Sequence, residues 1–180
     1  MPSWNVVAVV LVAATLSAVT VNLAFPVQQP ERYQQLAAEI LREMVEFPSA
    51  SASIEQTVVL LEAVMKRLAA AGFEEDAMTF VTSPGDIPNL VVRYAGTGQR
   101  RPVMLMAHVD VVDARVSAWQ VHPFTFVEEG GYYYGRGTSD NKAGATTLVT
   151  NFIRLRDEGY VPERDLIMVL TGDEETSGGG

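Results

Sequence analysis

The chain has 180 residues, 48% of them hydrophobic, which is enough for one globular domain with its own core and too apolar for a disordered segment. Its 13 Lys and Arg stand against 22 Asp and Glu, a formal charge of -9 that repels a phosphate backbone and argues against nucleic acid as a partner. It has no cysteine, so disulfides, thiolate nucleophiles and thiolate metal sites are excluded together, and a metal could be held only by His, Asp and Glu.

From Val6 to Phe25 the chain is uncharged and dominated by Val, Ala and Leu. Two leading readings fit residues 1–25, a secretory signal, with small residues at Ala18 and Ala24 offering cleavage points, or an uncleaved membrane anchor; a buried core helix is the third. Either leading reading exports the domain. The product would be periplasmic or extracellular if the segment is cleaved and membrane-anchored if it is not, with membrane contact confined to residues 6–25. Pro26, Gln28, Gln29 and Pro30 form a polar, helix-breaking linker over residues 26–30. The globular part is then residues 31–180.

Apolar residues at Tyr33, Leu36, Ala37, Ile40, Leu41, Met44 and Val45 recur at helical spacing, so Glu31 to Phe47 is expected to be an amphipathic helix stopped by Pro48. Ser53 with Gln56 three residues on reads as a capping box opening a second helix, with Val58, Leu61, Met65 and Leu68 inward and Gly72 as its stop. Phe73 to Thr82, Asn89 to Tyr94 and Pro102 to Ala107 read as strands. The last of these has no polar position from Val103 to Ala107, the pattern of a strand covered on both faces. Phe124 to Glu128 and Tyr132 to Gly135 should pair as a hairpin across Gly130 and Gly131. A helix from about Gly144 to Glu158 and an apolar strand, Leu166 to Leu170, follow. This alternation predicts a three-layer α/β/α domain on a mixed, largely parallel sheet.

The chemistry-bearing residues collect where such a sheet ends. His108 and Asp110 follow one apolar strand, and Asp173, Glu174 and Glu175 follow another; open α/β sheets gather their ligands at the carboxyl ends of strands. A third cluster, Gly135 to Gly144, is glycine-rich and places Asp140 just before a helix. Taken singly these residues have ordinary explanations: Asp140 as a helix cap, the adjacent acids as a solvated loop. Together, one imidazole and several carboxylates form a nitrogen and oxygen donor set suited to zinc, with manganese or cobalt as alternatives.

Three strings make the pattern specific: Leu105-Met106-Ala107-His108-Val109-Asp110-Val111-Val112, Gly135-Arg136-Gly137-Thr138-Ser139-Asp140-Asn141-Lys142 and Thr171-Gly172-Asp173-Glu174-Glu175-Thr176-Ser177-Gly178. In order and spacing they resemble the signatures of the co-catalytic zinc hydrolases that include aminoacylase, glutamate carboxypeptidase, succinyl-diaminopimelate desuccinylase and several dipeptidases. Trp119, Pro123 and Phe124 fit the same pattern. The resemblance implies a metallopeptidase or amidohydrolase that cleaves amide bonds of small peptides or N-acyl amino acids. It further implies two Zn2+ ions held by His108, Asp140 as the bridge, and Glu175, with Glu174 as general base and Asp110 supporting His108. It also implies a cis peptide bond between Asp140 and Asn141, and leaves open a homodimer for the full-length protein.

By the family pattern one metal also takes an acidic residue soon after the Glu174-Glu175 pair, and the other a distant His. On that reading the chain is the N-terminal part of a catalytic domain, lacking the lid or dimerisation domain, and is expected to be silent as an enzyme and weak in zinc binding by itself. The alternative is a non-catalytic binding module of the same fold. A phosphate enzyme is disfavoured, because no glycine-rich phosphate loop with its Lys and Ser or Thr is present. His122, beside Pro123 and Phe124, reads as structural or surface; Tyr132, Tyr133 and Tyr134 as sheet packing; Arg136 and Lys142 as balance for nearby acid. Ser139 lacks a base partner for nucleophilic catalysis.

Overall fold

The computed structural model describes residues 30–50, 53–176 and 178. Residues 1–25, read from the sequence as a signal or anchor, lie outside them. Among the described residues no helix is long and apolar enough to cross a membrane.

Helix α1 (Glu31–Glu46) buries Tyr33, Ile40, Leu41, Met44 and Val45, the stripe read from its spacing, and gives way to extended backbone at Phe47 before Pro48. Helix α2 (Ile54–Ala70) starts where expected but without the capping box: Ser53 makes no side-chain cap bond. Its carbonyl instead accepts the Gln56 and Thr57 amides at 3.0 and 3.2 Å. The cause is local. Ser53 sits at ψ 64, outside the extended conformation that aims an N-cap oxygen at the first turn. The buried face of α2 is Thr57, Leu60, Leu61, Val64 and Leu68, so the expected stripe was rotated: Leu60 and Val64 face inward where Val58 and Met65 were placed.

The first expected strand begins late. Glu75–Ala77 form a single 3-10 turn, and strand β1 is Met78–Ser83. Strands β2 (Ile87–Tyr94) and β3 (Val103–His108) follow; β4 (Val127–Glu129) and β5 (Tyr132–Tyr134) make the small hairpin, turned through Gly130 and Gly131 at φ 61 and 82. Two successive positive φ values are what a tight two-residue hairpin demands, and glycine supplies them without strain. Helix α3 (Lys142–Asp157) leads to strand β6 (Leu166–Thr171).

The main sheet is mixed, in the order β1-β2-β6-β3. Its parallel pairing is confined to β3 and β6; β1 with β2 and β2 with β6 run antiparallel. The β3–β6 register sets Val103 opposite Leu166 and His108 opposite Thr171. Leu105, Ala107, Met168, Leu170, Leu90 and Val92 therefore share one face, and that face forms a single core with Ile40 and Met44 of α1, Leu60, Leu61, Val64 and Leu68 of α2, and Val149 and Phe152 of α3. Burying each such side chain is worth about 1.5–3 kcal/mol.

The expectation that β3 is covered on both faces is not met among the described residues. Met104 and Met106, alternating with the core positions, are 58% and 56% exposed. An apolar strand predicts double burial only if a second layer lies against it, and the helices described here meet the sheet through one face.

Candidate metal centre

Parallel pairing of β3 with β6 brings their carboxyl ends side by side, and the amide of Val109 continues the ladder by donating to Thr171 O at 2.8 Å. On its other side this segment is held by the chain after α1. Val111 N donates to Ser49 O at 3.0 Å, and buried Ser49 returns its hydroxyl to Val109 O at 2.7 Å. His108 and Asp110 thus project from a stretch clamped on both edges, next to the turn that carries Asp173, Glu174 and Glu175.

Asp110 is completely buried. Its carboxylate accepts the Glu174 amide, 3.1 Å from each oxygen, and the Glu175 amide at 3.0 Å. His108 Nδ1 donates to the backbone carbonyl of Asp110 at 3.1 Å, and the Asp110 carboxylate lies a little farther from that nitrogen, at 3.4 Å. The expected carboxylate support of the imidazole is therefore supplied first by the main chain of the same residue. The physical reason is the turn after β6, whose amides at Glu174 and Glu175 converge on the buried carboxylate and give its charge the donors it needs.

Because Nδ1 faces a carbonyl, it must carry the ring proton of the neutral imidazole, and Nε2 is left as a lone pair. That lone pair looks at carboxylates. Asp140 Oδ1 is 3.1 Å away and Glu174 Oε2 3.8 Å. Ligand atoms of His108, Glu174 and Glu175 all lie within 4.8 Å of one another. A lone pair surrounded by carboxylate oxygens is repulsive unless a proton or a cation sits between them, and one nitrogen with several oxygens is a donor set for zinc, manganese or cobalt. The residues present fit a metal. Asp140, with its side chain 77% exposed, approaches His108 from the loop before α3. Both glutamates fall inside the same radius, so distance alone does not separate ligand from proton carrier.

Residues 104–180 match the model of peptidase family M20/M25/M40. The match contains all three motifs, so the family resemblance read from them is shown. Succinyl-diaminopimelate desuccinylase of Bradyrhizobium sp. (strain ORS 278) is 36% identical over 144 residues, covering 77% of this chain and 36% of that protein. The mouse N-fatty-acyl-amino acid synthase/hydrolase PM20D1 is 42% identical over 78 residues, covering 43% of this chain and 16% of that protein. The chain thus spans 36% of the length of the desuccinylase and 16% of that of PM20D1. Among solved structures, the dipeptidase Dug1p of Saccharomyces cerevisiae superimposes with a TM-score of 0.69 at 18% identity, covering 81% of this chain and 33% of that one. Human carnosine dipeptidase 1 gives 0.67 at 19%, covering 82% and 34%. These two establish the α/β fold. The M20 relatives are peptidases and hydrolases, and the family is metal-dependent.

The middle M20 motif is a tightly seated loop. The peptide bond between Asp140 and Asn141 is cis, as the resemblance implied. Gly137 has φ +88, and a Cβ there would stand 2.8 Å from Val111 and 2.9 Å from the stem of Lys142. Gly137→Ala is accordingly expected to cost about 2–3 kcal/mol, strain and overpacking together, read as a lower urea midpoint at unchanged slope.

Sequence reasoning missed three supporting residues. Ser49 clamps β3 as described. Asn89 donates to Ser83 Oγ at 2.9 Å and accepts the Gly172 amide at 3.3 Å, tying β2 to the turn before Asp173. Lys142, read as balance for nearby acid, is instead fully buried. Burial pushes its ammonium down to about 7, while the Asp110 charge pulls the other way. The first two carried no signal. Lys142 did, since a cation in the first turn of a helix opposes the dipole and needs a reason to be there. His122 lies outside the cluster, exposed, its Nδ1 accepting the Phe124 amide at 3.3 Å.

Proposed function

We propose that the full-length protein is an exported, zinc-dependent hydrolase of amide bonds in small substrates: dipeptides, C-terminal peptide bonds or N-acyl amino acids. The observation that carries this reading is the convergence of His108, Asp140, Glu174 and Glu175 at the joined ends of β3 and β6, with Nε2 of His108 facing carboxylate oxygens. His108 and Asp140 would hold one ion, Asp140 and Glu175 the other. Zinc, when bound, supplies a Lewis acid for the scissile carbonyl and makes water acidic enough to be deprotonated near neutral pH.

The chain's own residues do the rest. Glu174, the most exposed of the paired acids, takes the proton from water and delivers it to the leaving nitrogen. The Asp110 carboxylate fixes the amides of Glu174 and Glu175, so that both side chains leave the turn in set directions. No covalent intermediate is needed. With His108, Asp140 and Glu175 alone, each ion has two protein ligands where a catalytic site normally uses three, so residues 31–180 by themselves should bind zinc weakly and turn over nothing.

The test is a panel of dipeptides and N-acyl amino acids assayed with the full-length protein before and after exhaustive chelation, then with zinc, cobalt or manganese restored. Loss on chelation and recovery with metal is expected. Hydrolysis that survives metal removal would overturn the reading.

A further inference from the structure

Lys142 opens α3 two residues beyond Asp140, and its side chain makes its hydrogen bonds to the end of α1. It is 0% exposed. Nζ donates to the carbonyls of Met44 and Phe47, each at 2.8 Å. These carbonyls lie at the end of α1, each already accepting one amide (Phe47 N to Met44 O at 3.3 Å, Ser49 N to Phe47 O at 2.8 Å), so the ammonium adds a second donor to each at the negative end of the helix dipole. The stem crosses Gly137 closely enough that a Cβ would meet it at 2.9 Å, and Nζ lies 5.9 Å from the Phe124 ring centroid. The Lys142 amide itself donates to Gly137 O at 3.1 Å, closing the loop from inside.

One side chain thus touches α1, α3 and the loop that ends in Asp140. We propose that Lys142 is a positioning residue: its buried Nζ ties the carboxyl end of α1 to the first turn of α3 and so holds the Gly135–Asn141 loop where Asp140 meets His108. It touches no reacting atom. The inference rests on reading Asp140 as part of the metal centre.

The experiment compares the 180-residue chain with Lys142→Met, which keeps the stem and removes the hydrogen-bonding head. Hydrogen exchange is followed by mass spectrometry on peptides covering 135–141 and, as reference, β6. In Lys142→Met, exchange over 135–141 should accelerate about tenfold or more while β6 stays within about twofold, because the loop opens locally and the core does not. Cobalt(II) affinity, read from its visible absorption, should fall about tenfold in parallel.

The absence of other thiols allows a rescue. Lys142→Cys, alkylated with 2-bromoethylamine while unfolded and then refolded, regains an amine at the original reach and should recover both slow exchange and cobalt affinity. Unchanged exchange over 135–141 in Lys142→Met would overturn the proposal, as would equal acceleration in β6, which would make Lys142 a general core strut. Faster loop exchange with undiminished cobalt affinity would overturn it as well. If the parent chain, with two protein ligands per ion, binds no measurable cobalt, the exchange measurements alone decide the role of Lys142, and the metal reading is decided separately by chelation of the full-length protein.

Discussion

Glu174→Gln in the full-length protein is expected to lower turnover by about 10²- to 10⁴-fold, the usual worth of a positioned general base, with metal content nearly unchanged. His108→Ala should instead lose metal. The contrast matters because Glu174 and Glu175 both lie within ligand distance of His108, so position leaves their roles interchangeable. Exposure separates them: Glu174 is exposed, while Glu175 is half-buried. An amide at position 174 keeps size and shape and removes only the ability to carry a proton. Metal content by elemental analysis beside kcat resolves the matter. Loss of stoichiometric metal in Glu174→Gln would mean that Glu174 is a ligand and the two roles are exchanged.

The elements and motifs were legible because their signals are local. Helical spacing located α1, the glycine pair marked the β4–β5 turn, and two apolar runs ending in His108 and Asp173 placed both acidic clusters at sheet ends. What could not be read was set by partners distant in sequence. The inward face of α2 is decided by which of its two apolar rows meets β2 and α3, and the sequence offered both. Exposure of Met104 and Met106 depends on what lies against the second face of the sheet, which β3 itself does not encode. The destination of the Asp110 carboxylate depends on a turn 64 residues away, and that of Lys142 Nζ on a helix end 98 residues back. Side chains that reach to distant backbone amides or carbonyls leave no periodic trace, whereas side chains that gather around an ion recur as strings.

Asp110→Ala should be the most damaging substitution to stability near the site, costing about 3 kcal/mol or more. The carboxylate is wholly buried and is the acceptor for two consecutive amides, at Glu174 and Glu175. Hydrogen bonds to a charged group contribute about 1.5–3 kcal/mol each, and unsatisfied buried donors cost about 1–3 kcal/mol apiece. Part of this is offset, because removing the carboxylate also removes the cost of burying its charge. Alanine would leave the Glu174 and Glu175 amides without their acceptor, and Nδ1 of His108 would keep only its bond to the main-chain carbonyl. Asp110→Asn keeps the shape and one good acceptor oxygen, so it should cost about half as much. Urea unfolding at neutral pH, with equal slopes, reports both numbers. Metal affinity should fall in the same order, alanine below asparagine below the parent, because the two glutamates leave the turn in directions their amides set. An Asp110→Ala chain within about 0.5 kcal/mol of the parent would show that the turn holds its form without the carboxylate, and the support of Glu174 and Glu175 would then have to be sought in Asn89 and its bond to Gly172.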